Sequence, residues 1–351
     1  MLAAVRHIVG LTTIVRERQL PVAGTVHVRL NQKVGSMDVI AEASWARDHV
    51  LLDVARTLRM HPLAADMVIK CKVGDQLAAG AEVAVGKGMF PRSVRTAREG
   101  LVVAVGGGQV LMEASRTKIE LKAGIPGTVV EVLPERGAVI QTAGALVQGV
   151  WGNGKIDTGL LVNISDGPNG VLTRERMDVS LRGSILLAGM VQDAETLEFA
   201  GDMPVRGLIL SGLFPALMTV AREMRYPILV TDGFGPMPMN SAAYKLLSTN
   251  AKREITVNAE TFNRYSGVQP EAIIPLPITS YPPPVRDSET LALGLQVRMR
   301  RPPHMGKIGI VSQLKPGLTV LPSGLRAPAA EIRLENGETV LAPLVNLEVV
   351  G

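Results

Sequence analysis

The sequence predicts a multidomain protein of the α/β plus β class, and three features of its 351 residues indicate this class. Short Val, Ile and Leu runs punctuated by glycine fill the first third, as in half-buried strands joined by tight turns. Strands then alternate with helices, and short strands return near the end. We expect a β-rich domain at 1–150, a connector at 151–179, a parallel α/β domain at 180–260, a proline-rich strap at 261–302 and a small β-barrel at 303–351.

The composition excludes several classes of protein. Apolar residues make up 46% of the chain and aromatic residues only 3%, so an aliphatic core is expected and a disordered chain is not. One cysteine excludes a disulfide framework and favours a reducing, cytoplasmic setting. The longest uncharged apolar stretch, 207–221, is shorter than the roughly 20 residues of a membrane-spanning helix. Arg6 and His7 interrupt the apolar start, so neither a leader peptide nor a membrane segment is expected.

The first third contains a repeated pattern. Leu30–Ala41 aligns with Val73–Ala84, and a third copy follows at Pro134–Val147. Each copy predicts a strand, a turn, one buried aliphatic residue, a second turn and a strand. These repeats resemble the half-motifs of the barrel-sandwich hybrid, the fold of biotinyl and lipoyl carrier domains.

That resemblance implies a hairpin whose tip would carry a modified lysine. Gly100–Ala114 and Lys118–Val132 resemble the flanking strands, but Arg116 stands where the lysine would be. Lys118 comes two residues later, on the same face but away from the tip. We therefore expect a structural hairpin and no attached prosthetic group.

A helical insert is predicted at 45–60. Val50, Leu51, Val54 and Leu58 recur at helical spacing, and His61-Pro62 would end the helix. Its apolar face is expected to cover an open edge of the β-rich domain.

The central part predicts βαβ units and a mainly parallel sheet. Strands are expected at 184–188, 205–210, 227–231 and 254–258, with Asp193 and Asn240 as helix caps and Pro215 in a first turn. This part resembles Rossmann-like and swivelling phosphohistidine domains. No histidine lies near Leu213-Phe214-Pro215, so phosphotransfer is not expected.

The candidate ligand site lies where these strands end. A small anion held by the backbone at Ser211 and Gly212, with Asp232 contacting a hydroxyl or a cation, is the specific hypothesis; Gly233 and Asn240 complete the set. Ordinary turn and cap chemistry explains the same residues.

The end of the chain is similar to a small SH3-like barrel, and Gly306–Val311 resembles the core of the KOW motif. A basic cluster, Arg298, Arg300, Arg301 and Lys307, precedes and enters it, which suits phosphate contacts. No aromatic residue follows Tyr281, so base stacking is not expected from this part. A solvated basic surface is the alternative.

We therefore expect a non-catalytic interaction or scaffold protein that binds a protein partner or a small ligand, without a cofactor, metal site or catalytic residue. A nucleic-acid or ribonucleoprotein-associated factor, or an enzyme subunit with a small-anion site at the crevice, are the alternatives. The sequence does not predict the oligomeric state.

Overall fold

A computed structural model describes residues 1–86, 91–263, 265 and 267–351, with side chains except at 46, 47, 115 and 116. These residues form a mostly-β α/β protein with several sheets, a large mixed sheet among them, and few helices. The predicted combination of an α/β part with further β-sheets is confirmed at this level.

The strands of the described residues are, in chain order, β1 (Leu2–Arg6), β2 (Ile8–Gln19), β3 (Thr25–Val26), β4 (Lys33–Val34), β5 (Val39–Asp53), β6 (Gln76–Leu77), β7 (Glu82–Val85), β8 (Ser93–Arg95), β9 (Gly100–Gly106), β10 (Gln109–Lys122), β11 (Gly127–Leu133), β12 (Gly137–Gln148), β13 (Trp151–Gly152), β14 (Ile156–Asn163), β15 (Ser184–Val191), β16 (Gly207–Leu213), β17 (Ile228–Phe234), β18 (Glu254–Asn258), β19 (Glu271–Pro275), β20 (Ser288–Thr290), β21 (Gln296–Met299), β22 (Ile308–Leu314), β23 (Thr319–Val320), β24 (Arg326–Ala327), β25 (Ala329–Leu334), β26 (Thr339–Pro343) and β27 (Leu347–Val350). The α-helices are α1 (Val54–Leu58), α2 (Pro62–Asp66), α3 (Ala194–Asp202), α4 (Met218–Glu223) and α5 (Ser241–Thr249). Within the described ranges, none of these helices has the length and apolarity needed to cross a bilayer.

The largest sheet, here the central sheet, has the order β13-β17-β16-β15-β14-β18-β19-β12-β11-β4, with β2 also paired to β12. Strands β14 to β17 run parallel, whereas β18, β19, β12 and β11 are antiparallel to their neighbours. The expected mainly parallel sheet is therefore mixed. The 151–179 segment supplies β14, and the strap supplies β19, so both segments contain strands of this sheet.

Helices cover both faces of the parallel strands. On one face, Leu197 of α3 and Ala221 of α4 pack with β15 to β17; on the other, Ala243 and Leu247 of α5 pack with the same strands. Both predicted caps are confirmed, because Asp193 accepts from the Thr196 amide at 2.7 Å and Asn240 accepts from the Ala243 amide at 2.8 Å.

The first two sequence repeats form the same structure twice. We call residues 27–41 the outer copy and 70–84 the inserted copy. Within each copy a backbone hydrogen bond of 2.8 Å joins equivalent residues, His27 to Ile40 and Lys70 to Val83, which are 43 positions apart in sequence. The equivalent amides of Asn31 and Gly74 each donate at 2.8 Å to a strand outside the copy, at Val129 and Val102. Cys71 is buried in the core of the inserted copy, and burial raises the pKa of its thiol. The third repeat differs, because β12 continues without a second turn from Gly137.

Two sequence predictions fail on the ribbon that carries the inserted copy. Strand β5 pairs with β10 from Val39–Lys122 to Asp53–Gln109, so the expected helix at 45–60 is a strand as far as Asp53 and is helical only in Val54–Leu58. Long cross-strand pairing overrides the helical spacing of its apolar residues. Residues 113–120 lie within β10, and the turn falls at Gly106–Gly108, so no hairpin tip exists where the carrier resemblance placed one.

A second sheet, here the terminal sheet, joins both ends of the described chain in the order β20-β1-β27-β21-β22-β25-β26. Strand β1 pairs parallel with β27 through Val5–Val349 and Arg6–Val350. The segment 1–150 therefore supplies one strand to the part predicted as a separate barrel.

Candidate functional site

Four side chains of alternating charge, three of them buried and one partly buried, connect the terminal sheet to the central sheet. We call Arg6, Glu348, Arg298 and Asp232 the charged row. Arg6 Nη2 lies 3.0 Å from Glu348 Oε1, Glu348 Oε2 lies 3.8 Å from Arg298 Nη1, and Arg298 Nη2 lies 3.1 Å from Asp232 Oδ1. The exposed fraction falls from 14% at the Arg6 side chain to 0% at Asp232.

Strand register places this row. Arg298 of β21 lies directly opposite Glu348 of β27, and β27 pairs on its other side with β1, which carries Arg6. Asp232 arrives from the carboxyl end of β17 in the central sheet. Buried charges are costly unless they are paired, so each member depends on its neighbour.

The loop after β17 fixes the Asp232 carboxylate. Asp232 Oδ2 accepts from Thr231 Oγ1 at 2.8 Å and from the Asn240 amide at 3.1 Å, and Oδ1 accepts from Asn240 Nδ2 at 3.1 Å. Asn240 also caps α5, so one residue connects the helix start to the carboxylate. A ligand hydroxyl or cation at Asp232 would have to displace one of these partners.

A cleft of about 590 Å³ opens between the two sheets beside this row. Its charged lining consists of Arg6, Arg298, Arg300, Asp232, Asp287 and Glu348. Its largest apolar side chains are Phe234, Met237, Phe262, Met299 and Met305. Phe234, Phe262 and Met305 are 38%, 58% and 43% exposed, so apolar surface lies at the rim of the cleft together with the exposed Arg300 and Asp287, while the charged row forms its floor.

The guanidinium groups at the cleft are not saturated with acceptors. Among the described residues, Arg6 Nε and Arg298 Nε are buried and have no hydrogen-bond partner. The 3.8 Å between Arg298 Nη1 and Glu348 is too long for a hydrogen bond. A buried donor without an acceptor costs about 1–3 kcal/mol, so an acceptor entering here would be stabilised.

The predicted ligand residues come together only in part. Gly212 pairs with Gly233 in the sheet, and Asp232 is bonded to Asn240. The strand predicted to end at Leu210 continues to Leu213, so Ser211 and Gly212 lie within β16 rather than in a loop before a helix. Ser211 is fully buried, and its Oγ has no partner among the described residues.

The predicted basic cluster is divided between interior and surface. Arg298 is buried in the charged row, whereas Arg300, Arg301 and Lys307 are exposed. The cleft is lined by two residues of the predicted nucleic-acid set, Arg298 and Arg300, and by two of the predicted ligand set, Asp232 and Gly233.

Sequence reasoning missed Arg6, Glu348, Phe234 and Phe262 at this site. A usable signal was present for the first two, because each is a single charge inside an otherwise apolar strand, and such a charge requires a partner. Phe234 ends β17 and Phe262 lies in the connection after β18, and only the tertiary fold brings the two to one cleft.

Lys118, the residue closest to the carrier position, lies within β10. Its Nζ is 2.7 Å from Glu42 Oε2 across the ribbon, and that hydrogen bond raises the pKa of Lys118. The Arg116 side chain lies outside the described part of the structure.

Comparison with known proteins gives limited similarity. No protein-family model matches the chain. The chain is 29% identical over 170 residues to a UDP-N-acetylenolpyruvoylglucosamine reductase of Agathobacter rectalis, a match that covers 43% of this chain and 50% of that protein. The chain thus spans about half the length of this curated protein.

Proposed function

We propose that this protein is a non-catalytic interaction or scaffold protein that binds a small ligand or a partner in the cleft between the central and terminal sheets. One observation carries the proposal: the cleft adjoins the carboxyl end of β17 and is lined by guanidinium groups with unpaired N–H donors. Ligands of α/β sheets bind at this edge, in pockets that combine apolar walls with a few polar groups.

Two of the three carboxylates in the cleft lining, Asp232 and Glu348, are engaged in the charged row, which favours binding over proton transfer at these two groups; the third, Asp287, is 95% exposed. Asp232 and Glu348 are each held by arginine, and Asp232 accepts three further hydrogen bonds. A general base needs a carboxylate within reach of the proton that it removes. The enzyme-subunit alternative would use the same cleft, and the similarity to a reductase covers too little of either chain to supply an activity.

Ligand screening by tryptophan fluorescence tests the proposal. Trp151 packs edge-on against Phe234 with ring centroids 6.3 Å apart, and the only other tryptophan is Trp45. In a Trp45→Phe background, binders from a library of small acids, bases and neutral compounds should change Trp151 emission. Phe262→Ala should weaken these binders, and Leu293→Ala, an exposed residue outside the cleft lining, should not. The proposal fails if no compound binds, or if binding is insensitive to Phe262.

A second candidate function, nucleic-acid backbone binding, is favoured by the exposure of Arg300, Arg301 and Lys307 in and beside the β21–β22 connection. Phosphate contacts of this kind are strongly salt-dependent. Arg301→Met with Lys307→Met should reduce retention on single-stranded RNA at low salt. Retention equal to that of the unaltered protein would exclude this surface.

We also propose a fold family for three parts of the chain. The outer and inserted copies support two nested barrel-sandwich-hybrid halves, β14 to β17 with their helices support a Rossmann-like or swivelling-like unit, and β21 to β27 support an SH3-like barrel with a KOW-like turn. A cytoplasmic location fits the single, buried Cys71.

A further inference from the structure

We infer that the cleft binds an organic oxyanion, a carboxylate or a phosphate carried on a flat apolar group. This inference rests on the proposed function and specifies the class of its ligand. It is argued from the unpaired donors, the charge of the cleft and its apolar rim.

The donors define the polar end of the ligand. The Arg298 side chain is only 6% exposed. Its Nη2 contacts the carboxylate of Asp232 and donates to the backbone carbonyl oxygen of the same residue. Its Nε and the Nε of Arg6 have no partner among the described residues, although both arginines line the cleft. Both Nε atoms are shielded from solvent, so a ligand reaches them only where the side chains that cover them shift. These two donors and the accessible Arg300 guanidinium together suit an oxygen-rich anion, which accepts several hydrogen bonds at once.

The six charged side chains of the lining balance, three arginines against three carboxylates, so a preference for an anion depends on which of them are unpaired. Asp232 and Glu348 are already paired within the row, while the exposed Arg300 side chain has no ion-pair or hydrogen-bond partner in the described part of the chain. Asp287 is the opposing charge, and its 95% exposed carboxylate contacts His7 Nε2 at 3.2 Å. An incoming anion would therefore gain from Arg300 and be weakly repelled by Asp287.

The rim defines the apolar end. Phe234 at the end of β17, with Phe262 and Met305 in two separate connections, leaves apolar surface exposed beside a charged floor. Aromatic rings favour stacking or edge contacts with flat ligands, and methionine adapts to their shape. A bare inorganic ion would leave this surface exposed to water.

The test compares benzoate, phenyl phosphate, inorganic phosphate and neutral benzamide on the whole chain, by calorimetry and by Trp151 emission. Benzoate or phenyl phosphate should bind, benzamide and inorganic phosphate should bind at least roughly tenfold more weakly, and added salt should weaken the anions. The aryl anion that binds more tightly identifies carboxylate or phosphate as the preferred group.

Arg300→Met should weaken the binding of that anion about tenfold, and Asp287→Asn should strengthen it roughly twofold. Arg333→Met removes an exposed arginine of the terminal sheet that lies outside the cleft lining, so the affinity for the aryl anion should not change.

The outcomes separate this inference from the proposed function. Benzamide binding as tightly as benzoate, or equal affinities for Arg300→Met and Arg333→Met, would overturn the oxyanion class while leaving the cleft as a binding site. Failure of the entire library in the preceding screen would overturn both.

Discussion

Asp232 Oδ1 and Arg298 Nη2 lie 3.1 Å apart although their strands, β17 and β21, belong to different sheets. Both side chains are almost completely excluded from solvent. This ion pair brings together residues that the sequence assigns to two separate sites, one for a ligand and one for nucleic acid. It couples the carboxyl end of the parallel strands to the terminal sheet and forms part of the floor of the cleft.

Removing one member of this pair should destabilise the protein severely. Asp232→Asn or Arg298→Met leaves an uncompensated charge buried, at a cost of about 3–5 kcal/mol. The double variant removes both charges and should be less destabilised than the sum of the single variants. Urea unfolding followed by far-ultraviolet circular dichroism measures these differences.

Arg333→Met is the matched control, because it removes an exposed arginine from the terminal sheet without breaking an ion pair among the described residues. Strictly additive effects of the two single variants would show that the pair contributes no coupling energy.

Local signals predicted the parallel part of the fold well. The strand near 184–188, the caps at Asp193 and Asn240 and the repeat that produced the two copies all depend on contacts within short segments. The helix predicted at 45–60 failed because pairing of β5 with β10, about 60 residues away in sequence, decides its conformation.

The site was only partly predictable for a similar reason. Asp232 and Arg298 were each identified, but their contact spans 66 residues, and Arg6 meets Glu348 across 342 residues. Composition and spacing report which residues need partners, and only the sheet topology decides which partners they meet.

Gly127 lies opposite Val34 of the outer copy and Gly100 lies opposite Leu77 of the inserted copy, so alanine at each glycine should disturb a different copy. A Cβ at Gly127 would lie 2.3 Å from the Gln141 carbonyl oxygen, and one at Gly100 would lie 2.4 Å from that of Glu113. Both clashes are with backbone, so each variant should lose about 2 kcal/mol of stability. Hydrogen exchange should rise in 27–41 for Gly127→Ala and in 70–84 for Gly100→Ala.

Gly10→Ala is the control, because its nearest neighbour would be the Leu246 Cδ1 atom at 3.9 Å. Equal exchange changes in both copies for either variant would contradict two separately packed units.

Ser211→Ala should stabilise the protein by about 1 kcal/mol. Its hydroxyl is fully buried without a partner among the described residues, so its removal relieves a desolvation cost. Thr231→Val should have the opposite effect, since Thr231 Oγ1 lies within hydrogen-bond distance of the Leu210 carbonyl and the Asp232 carboxylate. Thermal unfolding measures the stability change of each variant.

Ser211→Ala could instead weaken ligand binding without raising stability. That result would support the sequence-based assignment of Ser211 to the ligand site over a packing role.

Acid should remove a stabilising contribution from Glu260. Burial by itself would raise the pKa of this carboxyl, but hydrogen bonds and charge from Arg18, with the Asn258 amide, hold its pKa below the usual value. A carboxyl whose pKa is lower in the folded state stabilises that state above the unfolded pKa of about 4.3, and this contribution disappears as pH falls through the lowered folded value.

Unfolding midpoints of the unaltered protein and Glu260→Gln should therefore differ most near neutral pH and converge below about pH 4. Glu254→Gln, at an exposed residue without an ion pair among the described residues, should show no such convergence. A constant difference between the unaltered protein and Glu260→Gln across this range would mean that the contribution of Glu260 comes from packing rather than from its charge.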